Sequence, residues 1–126
     1  MVFVDTNVLM YAVGGEHPLR SEAREFFRRS VRDGMSLVTS AEVLQELLHA
    51  YLPTGRTEHL DAALTLVQGR IQTVWDVTEE DVRLARRLTE RHPALEARDL
   101  LHLASCRRRE VTRAKTFDRA LADVLS

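Results

Sequence analysis

The sequence is short of most things that hold a small protein together, or hold it in place, other than its own core. One cysteine, Cys106, stands among 126 residues, which excludes an internal disulfide and leaves a thiolate metal site without partners. No apolar run approaches the roughly 20 residues needed to span a bilayer. Nor does the start combine a basic stretch with a long apolar one, the mark of a signal peptide. No membrane partner is expected, and the cytoplasm is the expected location. Charge of one sign is lacking too: 18 Lys and Arg against 19 Asp and Glu give a formal net charge of −1, without the basic excess of many nucleic-acid binders. Lysine itself is nearly missing. Lys115 is the only one, so the cations are arginines, whose planar forks pair bidentately with phosphate and carboxylate. There is no repeat, low-complexity tract or long linker. What remains, 44% hydrophobic and 29% charged residues, suits one domain over residues 1–126 with a core of its own.

Short apolar runs alternate with amphipathic ones. Val2 to Val4 read as a buried strand, followed by a helix from Asn7 to Val13 that ends at Gly14 and Gly15. Pro18 stands near the start of a second helix, with Leu19, Ala23, Phe26 and Ser30 on one stripe and Gly34 at its close. Ser36 to Val38 form a second strand, and a helix from Ser40 to Tyr51 is stopped by Pro53 and Gly55. Glu58 to Gln68 are helical in pattern with Gly69 as C-terminal cap, and Ile71 to Val77 read as a strand. Thr78 caps a helix to about Arg91, with Glu79, Glu80 and Asp81 in its first turn. A helix from Arg98 to Arg108, a strand near Lys115 to Phe117 and a last helix from Arg119 follow. This alternation predicts an α/β sandwich with a short, mainly parallel central sheet, whose functional groups stand at the carboxyl ends of the strands.

Asp5 follows the first strand and Asp118 the last. Either could be no more than a helix N-cap. Asp99 in ARDLLHLA and Glu46 in VLQELLH are harder to dismiss, since they lie on largely apolar helices, where an unpaired carboxylate must pair, protonate or bind a cation. Four acids brought together would repel unless a multivalent ion sat among them, and clustered carboxylates without His or Cys suit Mg²⁺ or Mn²⁺. Such an ion activates water and binds phosphate oxygens, which points to phosphodiester hydrolysis. A phosphatase of the haloacid-dehalogenase type also begins with an Asp after its first strand, but it wants a second Asp where this sequence has Asn7.

The segments VDTNVLMYA, TSAEVLQELLH, ARDLLHLA and TFDRAL, in this order and spacing, resemble a PIN-domain ribonuclease, specifically the VapC-type toxin of a bacterial toxin–antitoxin pair. The resemblance implies a PIN-like α/β/α fold and a Mg²⁺- or Mn²⁺-dependent endoribonuclease acting on RNA. Asp5 and Asp99 would then be direct metal ligands, Glu46 and Asp118 would complete an acidic quartet, and Thr6, Asn7 and Thr116 would give polar support. It also implies a homodimer and a cognate antitoxin whose peptide fills the groove. The alternative within the same fold is a non-catalytic module serving as the antitoxin's partner in a repressor complex. Many relatives continue into a further short strand, whereas this sequence ends soon after Asp123, Val124 and Leu125.

Two glutamates, Glu42 and Glu46, share one helix face, and either could reach a metal. Thr39 with Glu42 matches a capping box, which gives Glu42 a structural task, and the family-like spacing from Ser40 that the resemblance implies favours Glu46 as the site acid, with Glu42 as an auxiliary. Arg98, Arg107 and Arg108 are candidates for RNA phosphates, although a basic run at a helix end also suits the macrodipole. His102 reads as a site partner or as a core or interface histidine, and His49 as helix surface or interface. Tyr11, Phe26, Phe27 and Trp75 read as core or dimer surface rather than as a platform for bases.

Overall fold

A computed structural model describes residues 1–125. At its centre is β1 (Val2–Val4), whose three residues are all buried. A strand wholly shielded from water needs cover on both faces, which is why VFV carries no polar alternation. β1 pairs in parallel with β2 (Leu37–Ser40) on one side and with β4 (Ala114–Lys115) on the other. Beyond β2 lies β3 (Thr73–Trp75), also parallel, giving the order β3-β2-β1-β4. The helices are α1 (Thr6–Val13), α2 (Pro18–Arg32), α3 (Ala41–Tyr51), α4 (Thr57–Arg70), α5 (Glu79–Leu88), α6 (Ala97–Arg108) and α7 (Arg119–Ala122). The α/β sandwich and its parallel sheet agree with the alternation of the sequence. None of the helices is long and apolar enough to cross a membrane.

Several local expectations shift. The third strand is shorter than Ile71 to Val77 and lies at the edge of the sheet, with Val74 39% exposed. The β-forming residues of QTVWDV thus reflect an edge position, not a buried core strand. Gly69 is an interior residue of α4, and the helix ends instead where Ile71 turns extended to enter β3. α5 stops at Leu88, three residues short of Arg91. The proposed Thr39–Glu42 capping box does not form. The Thr39 hydroxyl instead donates to the Val4 carbonyl at 2.8 Å, and Ser40 caps α3 by accepting from the Val43 N–H at 3.4 Å. Strand β2 runs on to Ser40, so the helix starts one residue later, and Thr39 belongs to the ladder between β2 and β3, opposite Val74, with its hydroxyl turned to β1.

Between α5 and α6 lies the main ion-pair cluster. Thr78 and Asp81 form a capping box, and the Asp81 side chain, with no exposed surface, accepts from Arg108 at 2.6 Å and from Arg109 at 2.9 Å. Burial pushes the Asp81 carboxyl up, but the Arg109, Thr78 and Arg108 donors outweigh it and hold it down at about 2. Arg109 also lies over the Trp75 ring, 4.9 Å from its centroid. The basic run after Cys106 is therefore a clasp between helices and the β3 edge.

Candidate active site

Asp5 leaves the carboxyl end of β1 and caps α1, so one carboxylate serves both readings of its sequence position. Its Oδ1 accepts from the Thr6 N–H at 2.8 Å, while Oδ2 accepts from the Thr116 hydroxyl at 2.6 Å and from the Asn7 amide at 3.4 Å. Asn7 in turn accepts from the Phe117 N–H at 3.1 Å, and Thr116 from the Asp118 N–H at 3.0 Å. These bonds tie the end of β1 to the end of β4. Thr6, Asn7 and Thr116 thus hold Asp5 in place. Asn7 is a clamp at the position where the phosphatase alternative requires an acid. Burial pushes the Asp5 carboxyl up, against the opposing charge of His102 and the bonds from Thr116 and Thr6.

Glu46 comes from the second turn of α3 and is 7% exposed. It accepts from the Thr6 hydroxyl through Oε2 and from His102 Nε2 at 2.8 Å through Oε1. His102 Nε2 also lies 3.7 Å from Asp5 Oδ1. Burial pushes the Glu46 carboxyl up, but the hydrogen bond and charge of His102 and the bond from Thr6 together take it below the usual range. Burial pushes His102 down, and Glu46, Asp5 and Asp99 more than reverse that. Nδ1 of His102 has no hydrogen-bond partner among the described residues, so Nε2 alone orients the ring. His102 is therefore both a core histidine and a site residue. His102→Ala is expected to destabilise the metal-free fold by about 2–4 kcal/mol, read in a urea melt, because it opens a cavity and leaves a buried carboxylate unpaired. A melt unchanged within about 0.5 kcal/mol, the range of an ordinary surface substitution, would contradict this role.

Asp99 lies in the first turn of α6, and Asp118 caps α7 by accepting from the Leu121 N–H at 3.2 Å. Asp99 is half-buried and pushed up to about 6, first by burial and then by the charges of Asp118 and Asp5, with His102 acting in opposition. The four acids do meet. Asp5, Glu46, Asp99 and Asp118 line one groove of about 240 Å³ together with Thr6, Asn7 and Arg98. Ligand atoms of Asp5, Glu46 and His102 lie within 4.8 Å of one another. Since His102 Nε2 is the donor that holds Glu46, the carboxylate oxygens are the free ligands, and oxygen donors suit Mg²⁺ or Mn²⁺. The residues present fit such a cation, because it would relieve the crowding that raises Asp99.

Not every candidate belongs to this groove. Glu42 is half-buried and does not line it; with α3 beginning at Ala41, Glu46 one turn further on is the glutamate that reaches the acids. Arg98 stands at the groove, but Arg107 and Arg108 lie eight and nine residues along α6 from Asp99, about 12–14 Å away along the helix axis. Arg108 bonds Thr78, Asp81 and Glu80, which corrects its reading as a phosphate ligand. His49 lines the groove as an exposed residue. The signal for His102 was its i,i+3 relation to Asp99 on one helix face.

The PIN domain family model matches residues 2–125. Ribonuclease VapC23 of Mycobacterium tuberculosis is 61% identical over 122 residues, which cover 97% of this chain and 96% of that protein. The crystal structure of M. tuberculosis VapC20, described as a toxin that cleaves the sarcin-ricin loop, matches with a TM-score of 0.76 at 21% identity, over 98% of this chain and 94% of that one. VapBC2 from Rickettsia felis, solved bound to a DNA fragment from its promoter, matches with a TM-score of 0.67 at 16% identity, over 94% and 88% of the two chains. These two structures bear on the fold. It is the family match over nearly every residue, together with the identity to VapC23, that makes this chain a member of the PIN domain family and, within it, of the VapC-type ribonucleases.

Proposed function

We propose that this ribonuclease hydrolyses RNA phosphodiester bonds with a divalent cation, Mg²⁺ or Mn²⁺, held by Asp5 and Asp99 with Glu46 and Asp118 completing the set. The observation that carries this reading is the convergence on one groove of four carboxylates, from the N-cap of α1, from α3, from α6 and from the N-cap of α7, with Asp99 raised to about 6 by burial and by its acidic neighbours. When bound, the cation stabilises negative charge on the phosphodiester and activates water. The chain's own residues do the positioning. Thr116, Asn7 and the Thr6 N–H fix Asp5, His102 and the Thr6 hydroxyl fix Glu46, and Arg98 supplies the cation at the rim. Neutralisation by a cognate antitoxin, a homodimeric state and action in the cytoplasm belong to the same reading. The antitoxin partner is supported by the similarity to VapC proteins and by the VapBC2 structure.

Purified protein is expected to cleave structured RNA with Mg²⁺ or Mn²⁺ and to lose that activity with EDTA. Saturating cation, at about 100 times its dissociation constant, is also expected to stabilise the fold by about 2.7 kcal/mol, read as a rise in the melting midpoint. Cleavage that survives chelation would overturn the metal assignment. Antitoxin binding without any cleavage under either metal would favour the non-catalytic module.

A further inference from the structure

Beside the acidic groove lies a second pocket of about 360 Å³, within the size range of small-ligand sites. Asn7 and Met10 line both cavities, so the two are neighbours. One wall is Tyr11 with His17, ring centroids 4.5 Å apart, and the other is Tyr51 with His59, stacked at 5.9 Å. The first pair comes from α1 and the start of α2, the second from the end of α3 and the start of α4. Asn7 and Tyr11 are one helical turn apart on α1, about 6 Å, a distance comparable with one nucleotide step. A strand whose phosphodiester lies against the acids would thus present its neighbouring nucleotide here.

The polar groups of this pocket are those a nucleotide needs. Tyr51 is 4% exposed, yet its hydroxyl bonds nothing among the described residues. Burial raises its phenol, and the charge of Arg56 opposes this, which places the guanidinium close by. Arg56 itself forms no ion pair among the described residues. His17 Nδ1 accepts from the Leu19 N–H at 3.1 Å, so the proton of the neutral ring is on Nε2, leaving a free donor. Flat rings, one unpaired guanidinium and spare donors next to a phosphodiester site match single-stranded RNA, whose unstacked bases are held on aromatic side chains and arginine planes.

We propose that this pocket, walled by Tyr11, His17, Tyr51 and His59 and edged by Arg56, receives one unpaired base of the RNA strand and the phosphate next to it. The proposal rests on the ribonuclease reading and assigns that site a substrate-binding neighbour.

The test compares wild-type protein with His59→Ala, at a half-buried position, and Arg56→Gln, at an exposed one, and with Arg87→Gln on α5 as a control. The probes are a fluorescein-labelled RNA dodecamer of mixed sequence and its charge-matched abasic counterpart, held with Ca²⁺ in place of Mg²⁺. His59→Ala is expected to weaken binding of the dodecamer about tenfold, the scale of one lost stacking contact, and to leave the abasic oligomer unchanged. Arg56→Gln is expected to weaken both oligomers, since phosphate is common to them. In turnover with Mg²⁺ the losses fall on KM more than on kcat, and Arg87→Gln behaves as wild type. Wild-type affinity for the dodecamer in both variants overturns the proposal, as does a loss confined to binding of the cognate antitoxin, which would make the pocket a peptide site. Wild-type protein that neither binds nor cleaves any RNA overturns the ribonuclease reading itself.

Discussion

Asp99→Asn is expected to abolish most RNA cleavage and, at neutral pH without metal, to make the protein more stable. The first effect follows from losing several kcal/mol of charge stabilisation by a bound cation; at 1.36 kcal/mol per factor of ten, about 4 kcal/mol is on the order of a thousandfold in rate. The second follows from the folded-state environment of Asp99, which raises its carboxyl from 3.8 to about 6. Between those values the native state keeps a proton that the unfolded chain has released. Stability therefore falls as pH rises through this window and levels off above about 6. Screening at a half-buried group reduces the cost at pH 7 to about 1–2 kcal/mol. An asparagine never ionises, so the variant escapes that cost while giving up about 0.5 kcal/mol of favourable first-turn charge. Urea melts in EDTA at pH 4.5 and 7.5 measure both slopes. A variant that keeps the wild-type pH dependence, or still cleaves at the wild-type rate, would remove Asp99 from the proposed site.

The other large effect is expected far from the acids. Asp81→Ala should lower stability by about 2–4 kcal/mol, because it strips two arginines of their shared buried partner and removes the capping box of α5. Arg108 and Arg109 are 28% and 21% exposed at their side chains, so water compensates them in part. The pH dependence runs opposite to that of Asp99. With a folded value of about 2 against 3.8 unfolded, Asp81 contributes stability above about pH 4 and loses it as pH falls towards 2. Fully developed, that contribution is about 2 kcal/mol. Urea midpoints at pH 7 and pH 3 should therefore differ less in Asp81→Asn than in wild type. An equal difference in the two proteins would show that the clasp carries no net electrostatic stabilisation. The clasp bears on function as well, since it locks the C-terminal end of the helix whose first turn presents Asp99.

Much of this protein is legible along the chain because its causes are local. VFV makes a buried strand by composition, Asp5 and Asp118 cap the helices that follow them, Thr78 with Asp81 starts α5, and Gly34 with a φ of 65° follows the end of α2. Each depends on residues a few positions apart. Motif spacing also picked out the four acids in advance. The sequence could not choose between uses that look alike locally. Whether Thr39 caps a helix or bonds Val4 depended on strand pairing, and whether Arg108 meets phosphate or Asp81 depended on where α5 packs. His102 became a site residue only when α6 was laid against α3. The bonds that make the site join Thr6 to Glu46, His102 to Glu46 and Thr116 to Asp5 across 40, 56 and 111 residues of chain. A carboxylate's partners, burial and proton affinity are set by those long-range neighbours, and only the folded sheet brings them together.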